Sequence, residues 1–316
     1  MKIYQSAGFS NPLSTPGRDV NGFGAAVQAT SHGIRSGPAN NDGHERIRPM
    51  CVDALRWGDS AIMIVAGWDW RDESKPIHSP GHMYSDRNRK PDVEHTANQA
   101  EQVIHDWRFG GGLDGNLTIE IAGELDLTDI WKGRKLSGYY DFAMRVYDRV
   151  RSLSSEVKIV TGSTSNFRQR PRFKRSRRGF EVLECLHDMG FPKDTLQGVH
   201  PYRNDLPPGL YHNWDRQGAF NVLRGLLDGR KIAITEMGWH SRGDWTNQQI
   251  AGFVRDEINS WREFGADCYV HYQIQDGTKP NNTGEGGFGA FENHEDGLTP
   301  KPVATVLREE RNKGEV

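Results

Sequence analysis

Two glutamates stand directly after short apolar segments of this chain. Glu236 follows the run Lys231-Ile-Ala-Ile-Thr, and Glu124 follows the run Leu117-Thr-Ile-Glu-Ile-Ala-Gly. Each run is typical of a buried β-strand, so each glutamate is predicted to lie at a strand end, on the edge of a core. Carboxylates rarely occupy such positions without a partner or a chemical task. The two glutamates are therefore candidates for acid–base or nucleophilic chemistry.

The elements that would position these glutamates alternate along the chain. From residue 45 onward, apolar runs typical of strands alternate with segments whose apolar residues recur at helical spacing. This alternation predicts a parallel sheet covered by helices. The predicted strands are 61–66, 117–124, 157–161, 196–202, 231–236 and 266–272, and the predicted helices are 45–57, 92–108, 138–153, 179–189, 214–228, 246–264 and 302–308.

Two further runs near the start, 2–7 and 23–30, bring the set of predicted strands to eight. Eight parallel strands close a barrel, so the predicted fold class is α/β, a (β/α)8 TIM barrel that forms one domain over residues 1–316. The competing arrangement is an open doubly wound sheet. That fold would show a glycine-rich phosphate-binding turn after an early strand, and this sequence has none.

The composition argues against several classes of partner. The 40 basic and 42 acidic residues give a net charge of −2, so no overall field favours nucleic acid or a membrane surface. The three cysteines, an odd number, do not suit a disulfide framework or a metal site, and we predict no cofactor. The N-terminal segment lacks the apolar core of a secretory signal. We expect a cytoplasmic protein if the chain is complete, and a secreted one if a leader has been removed.

The strand ends predict a shared site. In a (β/α)8 barrel the carboxyl ends of all strands meet at one face, and strands four and seven lie on opposite sides of the ring. Glu124 and Glu236 would then face each other across the barrel mouth. His200 and Tyr202, two residues apart at the end of strand six, share one face of their strand. Opposed carboxylates suit the cleavage of a glycosidic bond, where one protonates the leaving oxygen and the other attacks the anomeric carbon or activates water.

Four segments carry motifs in a specific order along the chain. They are Ile119-Glu-Ile-Ala-Gly-Glu-Leu125, Val199-His-Pro-Tyr-Arg203, Ile234-Thr-Glu-Met-Gly-Trp239, and Phe288-Gly-Ala-Phe291 with the following Pro300-Lys-Pro302. From about Trp68 to the C-terminus the chain resembles the clan A retaining glycoside hydrolases, whose acid/base residue follows strand four and whose nucleophile follows strand seven. One such motif alone would be weak evidence, but their order makes the resemblance more specific.

The resemblance implies roles for particular residues. Glu124 would be the general acid/base and Glu236 the nucleophile of a double displacement. The substrate would be a β-linked poly- or oligosaccharide, with endo cleavage preferred to exo. Tyr202 would hydrogen-bond Glu236, and His200 would help to position the site. The other substrate-binding candidates are Trp68, Asn166, Trp239 and Tyr272.

Two positions depart from the clan pattern. Gly123 stands where the clan has an asparagine that donates a hydrogen bond to the sugar 2-hydroxyl, a bond that strengthens in the transition state. Asn166, after strand five, is the candidate substitute. Tyr272 stands where tryptophan is usual. Arg35 is a candidate for the clan's arginine near strand two.

Two alternative functions follow from the same residues. Gly123 supports a carbohydrate-binding barrel that has lost catalysis. A metal-dependent barrel hydrolase is the other alternative, but the strand ends do not gather the His/Asp ligand set that such an enzyme needs.

A basic segment bears on the type of carbohydrate. Residues 168–178 hold seven cations in 11 positions, directly after predicted strand five. Charge runs of this kind usually lie on solvated surface. Their position on the predicted active face nevertheless supports the hypothesis that the carbohydrate partner is anionic.

Overall fold

The computed structural model of the protein describes most of the chain. The described residues are 1–7, 23–36, 51–52, 54–55, 60–65, 93–110, 115–126, 136, 138–165, 179–202, 208, 210–211, 214–241, 245–274, 276, 287–294 and 297–313. Of the predicted helix 45–57, only 51–52 and 54–55 are described, and these residues are helical. The basic segment 168–178 lies outside the described residues.

Eight parallel strands close into a barrel. They are β1 Lys2–Ala7, β2 Gly33–Ser36, β3 Ser60–Val65, β4 Leu117–Ile121, β5 Lys158–Thr161, β6 Leu196–Val199, β7 Ile232–Met237 and β8 Cys268–Tyr272. Each strand pairs with its neighbours in chain order, and β1 pairs with both β2 and β8, which closes the ring. The predicted (β/α)8 TIM barrel is confirmed.

Helices connect the strands along the described chain. They are α1 Phe23–Thr30, α2 Val93–Phe109, α3 Tyr139–Leu153, α4 Gly179–Asp188, α5 Arg216–Leu227, α6 Asn247–Phe264 and α7 Pro302–Asn312. Two short antiparallel pairs are added, Leu210–Tyr211 with Trp214–Asp215 and Phe291–His294 with Gly297–Pro300. No helix in these described ranges combines the length and apolar character needed to cross a membrane.

Side chains along each strand alternate between two apolar layers. Ile3, Ile119 and Ile234 belong to a large cluster that also contains helix residues, so they face the helices. Val160 and Val270 belong to a small cluster made of strand residues alone, inside the ring. Because successive residues of a strand point to opposite sides, inward-facing polar residues near the carboxyl ends of the strands stand at the barrel mouth.

The expectation that residues 23–30 form the second strand was wrong. This segment is α1, and the second strand is Gly33–Ser36, which pairs with both β1 and β3. The run Phe-Gly-Ala-Ala-Val-Gln-Ala-Thr contains three alanines, the best helix former, and no β-branched run. The strand needs a glycine at its start, because a Cβ at Gly33 would lie 1.7 Å from the Ser60 carbonyl oxygen.

Candidate active site

The two strand-end glutamates converge at the barrel mouth. One carboxylate oxygen of Glu124, one of Glu236 and a ring nitrogen of His200 all lie within 4.8 Å of one another. Both glutamate side chains keep partial contact with solvent, at 30% exposure for Glu124 and 17% for Glu236. The carboxylates therefore share one solvent-accessible space, although they lie more than 100 residues apart along the chain.

A β-bulge turns Glu236 toward the mouth. Ile234 pairs with Tyr269 of β8 and Met237 pairs with His271, so two residues of β7 stand opposite one residue of β8. Ile234 and Met237 both pack in the outer cluster. Strict alternation from Ile234 would put Glu236 on that outer side as well. The extra residue corrects its direction, which is the effect that bulges commonly have next to active sites.

Glu124 lies in an unusual backbone conformation. Its φ is 54°, and that of Ala122 is 57°, so two non-glycine residues just beyond β4 are left-handed. Such conformations are strained for residues with a Cβ and persist where the surrounding structure holds them. The end of β4 therefore directs Glu124 through its backbone geometry, as the bulge directs Glu236.

Arg35 is the central cation of the site. Its Nε donates to Glu120 Oε2 at 2.8 Å, and its Nη1 donates to Glu236 Oε2 at 2.8 Å. Glu120 is fully buried in the barrel and also accepts a hydrogen bond from Thr235 Oγ1. Burial alone would raise the pKa of Glu120, but the Arg35 guanidinium and His200 outweigh it and hold that pKa at about 2. Glu120 is therefore favoured in its ionised form.

Sequence reasoning gave Arg35 only as a candidate and assigned no role to Glu120. The available signal was periodicity, because Glu120 lies four residues before Glu124 and is predicted to share its side of the strand. A buried carboxylate inside a barrel needs a cation, and an inward arginine on a neighbouring part of the ring is the natural partner.

His200 and Tyr202 reach both glutamates from the end of β6. Tyr202 donates its hydroxyl to Glu236 Oε1 at 2.8 Å, so the hydrogen bond expected from the sequence is present. His200 Nδ1 lies 3.5 Å from Glu124 Oε1, and its Nε2 lies 3.7 Å from Glu120 Oε1. Burial disfavours a charged His200, but Glu236, Glu120 and Glu124 outweigh this effect and raise the pKa of His200 to about 9. The carboxylates around His200 therefore favour its protonated form, and the Arg35 guanidinium beside its Nε2 opposes it.

The aromatic candidates lie in two different environments. Tyr272, half-buried at the end of β8, meets Tyr202 edge-on at 6.5 Å between ring centroids and Phe288 at 5.5 Å. Trp239 is only 3% exposed and packs against Phe253 of α6, within the outer core. The substrate-binding roles of both residues stay predictions. Trp68 and Asn166 lie outside the described residues.

Gly123 faces the site and leaves room beside it. A Cβ at this position would lie 3.4 Å from Ser163 Oγ, 3.8 Å from His200 Cε1 and 3.9 Å from Arg35 Nη2, all ordinary contact distances. A side chain at position 123 would thus project among polar groups next to Glu124. Its absence removes one hydrogen-bond donor that the resemblance would lead us to expect there.

The cluster of Glu124, His200 and Glu236 also has the ligand spacing of a metal site. Its charges fit a divalent cation poorly, however. The Arg35 guanidinium already contacts Glu236, and the three surrounding carboxylates raise the pKa of His200, whereas a metal ligand must be a neutral imidazole. The arrangement suits acid–base and nucleophilic chemistry by the carboxylates themselves.

Comparison with known proteins adds evidence at the level of the fold. No family model matches the sequence, and no curated protein matches it. Among solved structures, a family 39 glycoside hydrolase from the gut symbiont Bacteroides cellulosilyticus WH2 superposes with a TM-score of 0.65 at 11% identity. That match covers 98% of this chain but 63% of the other, so the chain spans less than two thirds of that protein's length.

Two other solved structures match over nearly their whole lengths. The hyperthermostable endo-1,4-β-D-mannanase of Thermotoga petrophila RKU-1 superposes with a TM-score of 0.60 at 13% identity, covering 99% of each chain. Cel5A of Thermotoga maritima, solved with cellobiose, gives a TM-score of 0.58 at 13% identity, covering 98% of this chain and 96% of that one. Similarity at such low identity concerns the fold. The chain has the (β/α)8-barrel fold of these clan A glycoside hydrolases.

Proposed function

We propose that the protein is a retaining glycoside hydrolase that cleaves β-glycosidic bonds of a poly- or oligosaccharide by double displacement. The observation that carries this proposal is the approach of Glu124 and Glu236 to within 4.8 Å between carboxylate oxygens. Carboxyl groups about 5–5.5 Å apart suit direct attack on the sugar, whereas inversion needs about 6.5–9.5 Å to admit a water molecule. The short separation supports retention.

The different surroundings of the two carboxylates support their assignment to different roles. Glu236 accepts hydrogen bonds from Arg35 and Tyr202, which fix the direction of the proposed nucleophile. Glu124 is more exposed and its carboxylate contacts His200. It is thus free to protonate the leaving oxygen in the first step and to take a proton from water in the second.

We further propose that the substrate is a β-linked glycan attacked within the chain. The mannanase and the cellobiose-bound Cel5A named above act on or bind β-linked hexose polymers or their fragments. A panel of mannans, cellulosic glucans and anionic glycans, with products sized over time, tests this proposal. Early release of mixed oligosaccharides is expected, and release of monosaccharide alone would contradict endo action.

Gly123 favours a second candidate function, a barrel that binds carbohydrate without cleaving it. The position lacks the donor that the clan pattern supplies, and such donors contribute to transition-state stabilisation. Binding of a glycan without product formation would favour this alternative. So would failure of a mechanism-based 2-fluoro sugar to label Glu236.

Replacement of each glutamate tests the roles directly. Glu236→Ala should abolish turnover of every substrate, because no covalent intermediate can form. Glu124→Ala should lower kcat/KM by about 10²- to 10⁴-fold on an unactivated oligosaccharide but little on its 2,4-dinitrophenyl glycoside, whose leaving group needs no proton.

Glu309→Ala is the matched control, because this exposed glutamate of α7 pairs with Arg255 away from the barrel mouth. It should leave both activities unchanged. Product stereochemistry followed by NMR should show retention at the anomeric carbon in the unmodified protein. Equal activity of Glu124→Ala on both substrates would contradict the acid/base assignment, and net inversion would contradict the double displacement.

A further inference from the structure

Asp126 is a buried carboxyl group that the proposed mechanism does not use. It lies two residues after Glu124 and is fully buried. Its Oδ1 accepts the backbone N–H of Ser165 at 2.6 Å, and its Oδ2 accepts the Ser165 hydroxyl at 3.0 Å. Burying a carboxylate is unfavourable unless its oxygens are hydrogen-bonded. Because both oxygens of Asp126 are hydrogen-bonded to Ser165, we infer that this contact has a specific structural task.

The contacts of this carboxyl group continue beyond the regular pairing of β4 with β5, which ends at Ile121 and Thr161. Past that point the Leu125 N–H donates to the Ser163 carbonyl at 2.8 Å. The Glu124 N–H donates to Ser163 Oγ at 3.3 Å. The Asp126–Ser165 pair is the outermost of these described links.

This series of links spans the strained segment of the backbone. Glu124 has a φ of 54°, a left-handed backbone conformation that is unfavourable for a non-glycine residue. Glu124 is held on one side by the strand β4 and on the other by the links through Leu125 and Asp126. Releasing the outer link would allow the segment to relax and move the Glu124 carboxyl group relative to Glu236.

We propose that Asp126 is a positioning residue for Glu124, which it holds at its working distance from Glu236 by tying the end of β4 to Ser165. This inference rests on the proposed function, because it assigns Glu124 the acid/base role. Asp126 touches neither the substrate nor the reacting atoms. Its effect passes through the backbone of the intervening Leu125.

The pKa of Asp126 is consistent with a side chain whose role is its hydrogen bonds to Ser165 and not its charge. Burial raises the pKa of Asp126, and the charge of Glu124 raises it further. The hydrogen bonds from Ser165 offset only part of this rise, so the pKa is about 7. A carboxyl group in this position is therefore unfavourable in its ionised form, and a neutral side chain of similar shape could replace it if positioning is its role.

The test uses the dependence of the rate on the leaving group. An acid/base displaced by about 1 Å costs on the order of 10²-fold where proton donation is needed and little where it is not. The readout is kcat/KM, which reports the first step, on the best oligosaccharide from the glycan panel and on its 2,4-dinitrophenyl glycoside. Asp126→Ala should lose about 10- to 100-fold on the oligosaccharide and little on the activated glycoside.

Two further variants separate positioning from loss of folding. Asp126→Asn keeps an acceptor for the Ser165 N–H, and the Ser165 hydroxyl can turn to accept from the new amide, so activity should return to within about threefold of the unmodified protein. Ser165→Ala removes only the hydroxyl link and should give an intermediate loss confined to the oligosaccharide. It keeps the test decisive if Asp126→Ala does not fold.

Glu310→Ala is the matched control, because Glu310 is a fully buried carboxylate on α7 that accepts from Arg262 and lies outside the barrel mouth. Its loss should destabilise the fold and affect both substrates equally. Equal losses on both substrates in Asp126→Ala and Ser165→Ala, or none in either, would overturn the proposal. A protein that cleaves no glycan and whose Glu236 is not labelled would instead overturn the proposed function.

Discussion

Arg35, on β2, connects groups at the barrel mouth that come from three other strands or their ends. It pairs with Glu120 and Glu236, and its Nη2 lies 3.1 Å from His200 Nε2. The guanidinium has several fixed donors and stays charged when buried, so it can serve two carboxylates at once. Burial lowers its pKa, but Glu120 and Glu236 outweigh this effect and raise it above the ordinary value. A lysine could not reproduce this geometry.

Removal of Arg35 should destabilise the protein strongly. Arg35→Met leaves Glu120 fully buried without its guanidinium partner, which should lower the free energy of unfolding by about 3–5 kcal/mol. The double variant Arg35→Met/Glu120→Gln removes that buried carboxyl group and should recover most of the stability. Because Glu236 still lacks Arg35, the double variant should remain inactive.

Chemical denaturation and the turnover assay measure the two quantities separately. Thr118→Ser, on the same inward face of β4, is the control and should change neither quantity much. Equal stability of the single and double variants would contradict the buried-carboxyl explanation.

At the scale of elements, the chain that leaves β7 is held by the start of α6. Thr246 caps this helix, its hydroxyl accepting the Gln249 N–H while the Gln249 side chain accepts the Thr246 N–H. The segment Thr246-Asn-Gln-Gln249 has the residue spacing of a capping box, and the structure forms one. Satisfying two helix N–H groups in this way fixes where the chain returns after Glu236.

Thr246→Ala should lower the free energy of unfolding by about 1 kcal/mol, because the side-chain half of the capping box is lost. Thermal denaturation measures the effect. Gln248 is the exposed second residue of α6, so Gln248→Ala is the matched control. Its free energy of unfolding should stay within about 0.5 kcal/mol of that of the unmodified protein. A loss in the control as large as in Thr246→Ala would show that the cap is not the cause.

Across the whole protein, closure of the barrel brings residues from β2, β4, β6 and β7, or from just beyond them, into one ionisable network. Folding therefore changes the pKa of several groups, and stability must depend on pH. The shift at Asp126 acts against folding at neutral pH. Its pKa is about 7 in the folded protein, against about 3.9 for an unfolded chain.

Proton binding to Asp126 decides whether the stability of the protein rises or falls with pH. Between about pH 4 and 7 the folded protein holds a proton on Asp126 that the unfolded chain has released. The contribution of Asp126 to the free energy of unfolding therefore falls as the pH rises through this range, and it is constant above about pH 7. The span corresponds to on the order of 4 kcal/mol. Asp126→Asn removes the titrating group.

The free energy of unfolding of Asp126→Asn should therefore increase relative to that of the unmodified protein as the pH rises from 4 to 8. Urea denaturation at several pH values measures it. A difference that does not vary with pH, or that shifts in the opposite direction, would contradict a raised pKa at Asp126.

Features that depend on local chemistry could be predicted from the sequence. Alternating strand and helix patterns from residue 45 onward gave the barrel, because hydrophobic periodicity reports which face of an element is buried. The two glutamates were found because each follows a buried run. The capping box of Thr246 and Gln249 is also visible in the sequence, because it is formed within four residues.

Features that depend on pairing between distant segments could not be predicted from the sequence. The bulge that turns Glu236 inward is a property of the register between β7 and β8, and strict alternation alone would have pointed this residue outward. The Arg35 contacts join residues 85 and 201 positions apart. The second strand was missed because its position depends on the close approach of Gly33 to Ser60. Register, backbone strain and buried ion pairs are fixed only when the ring closes, because each needs partners that no local stretch of sequence contains.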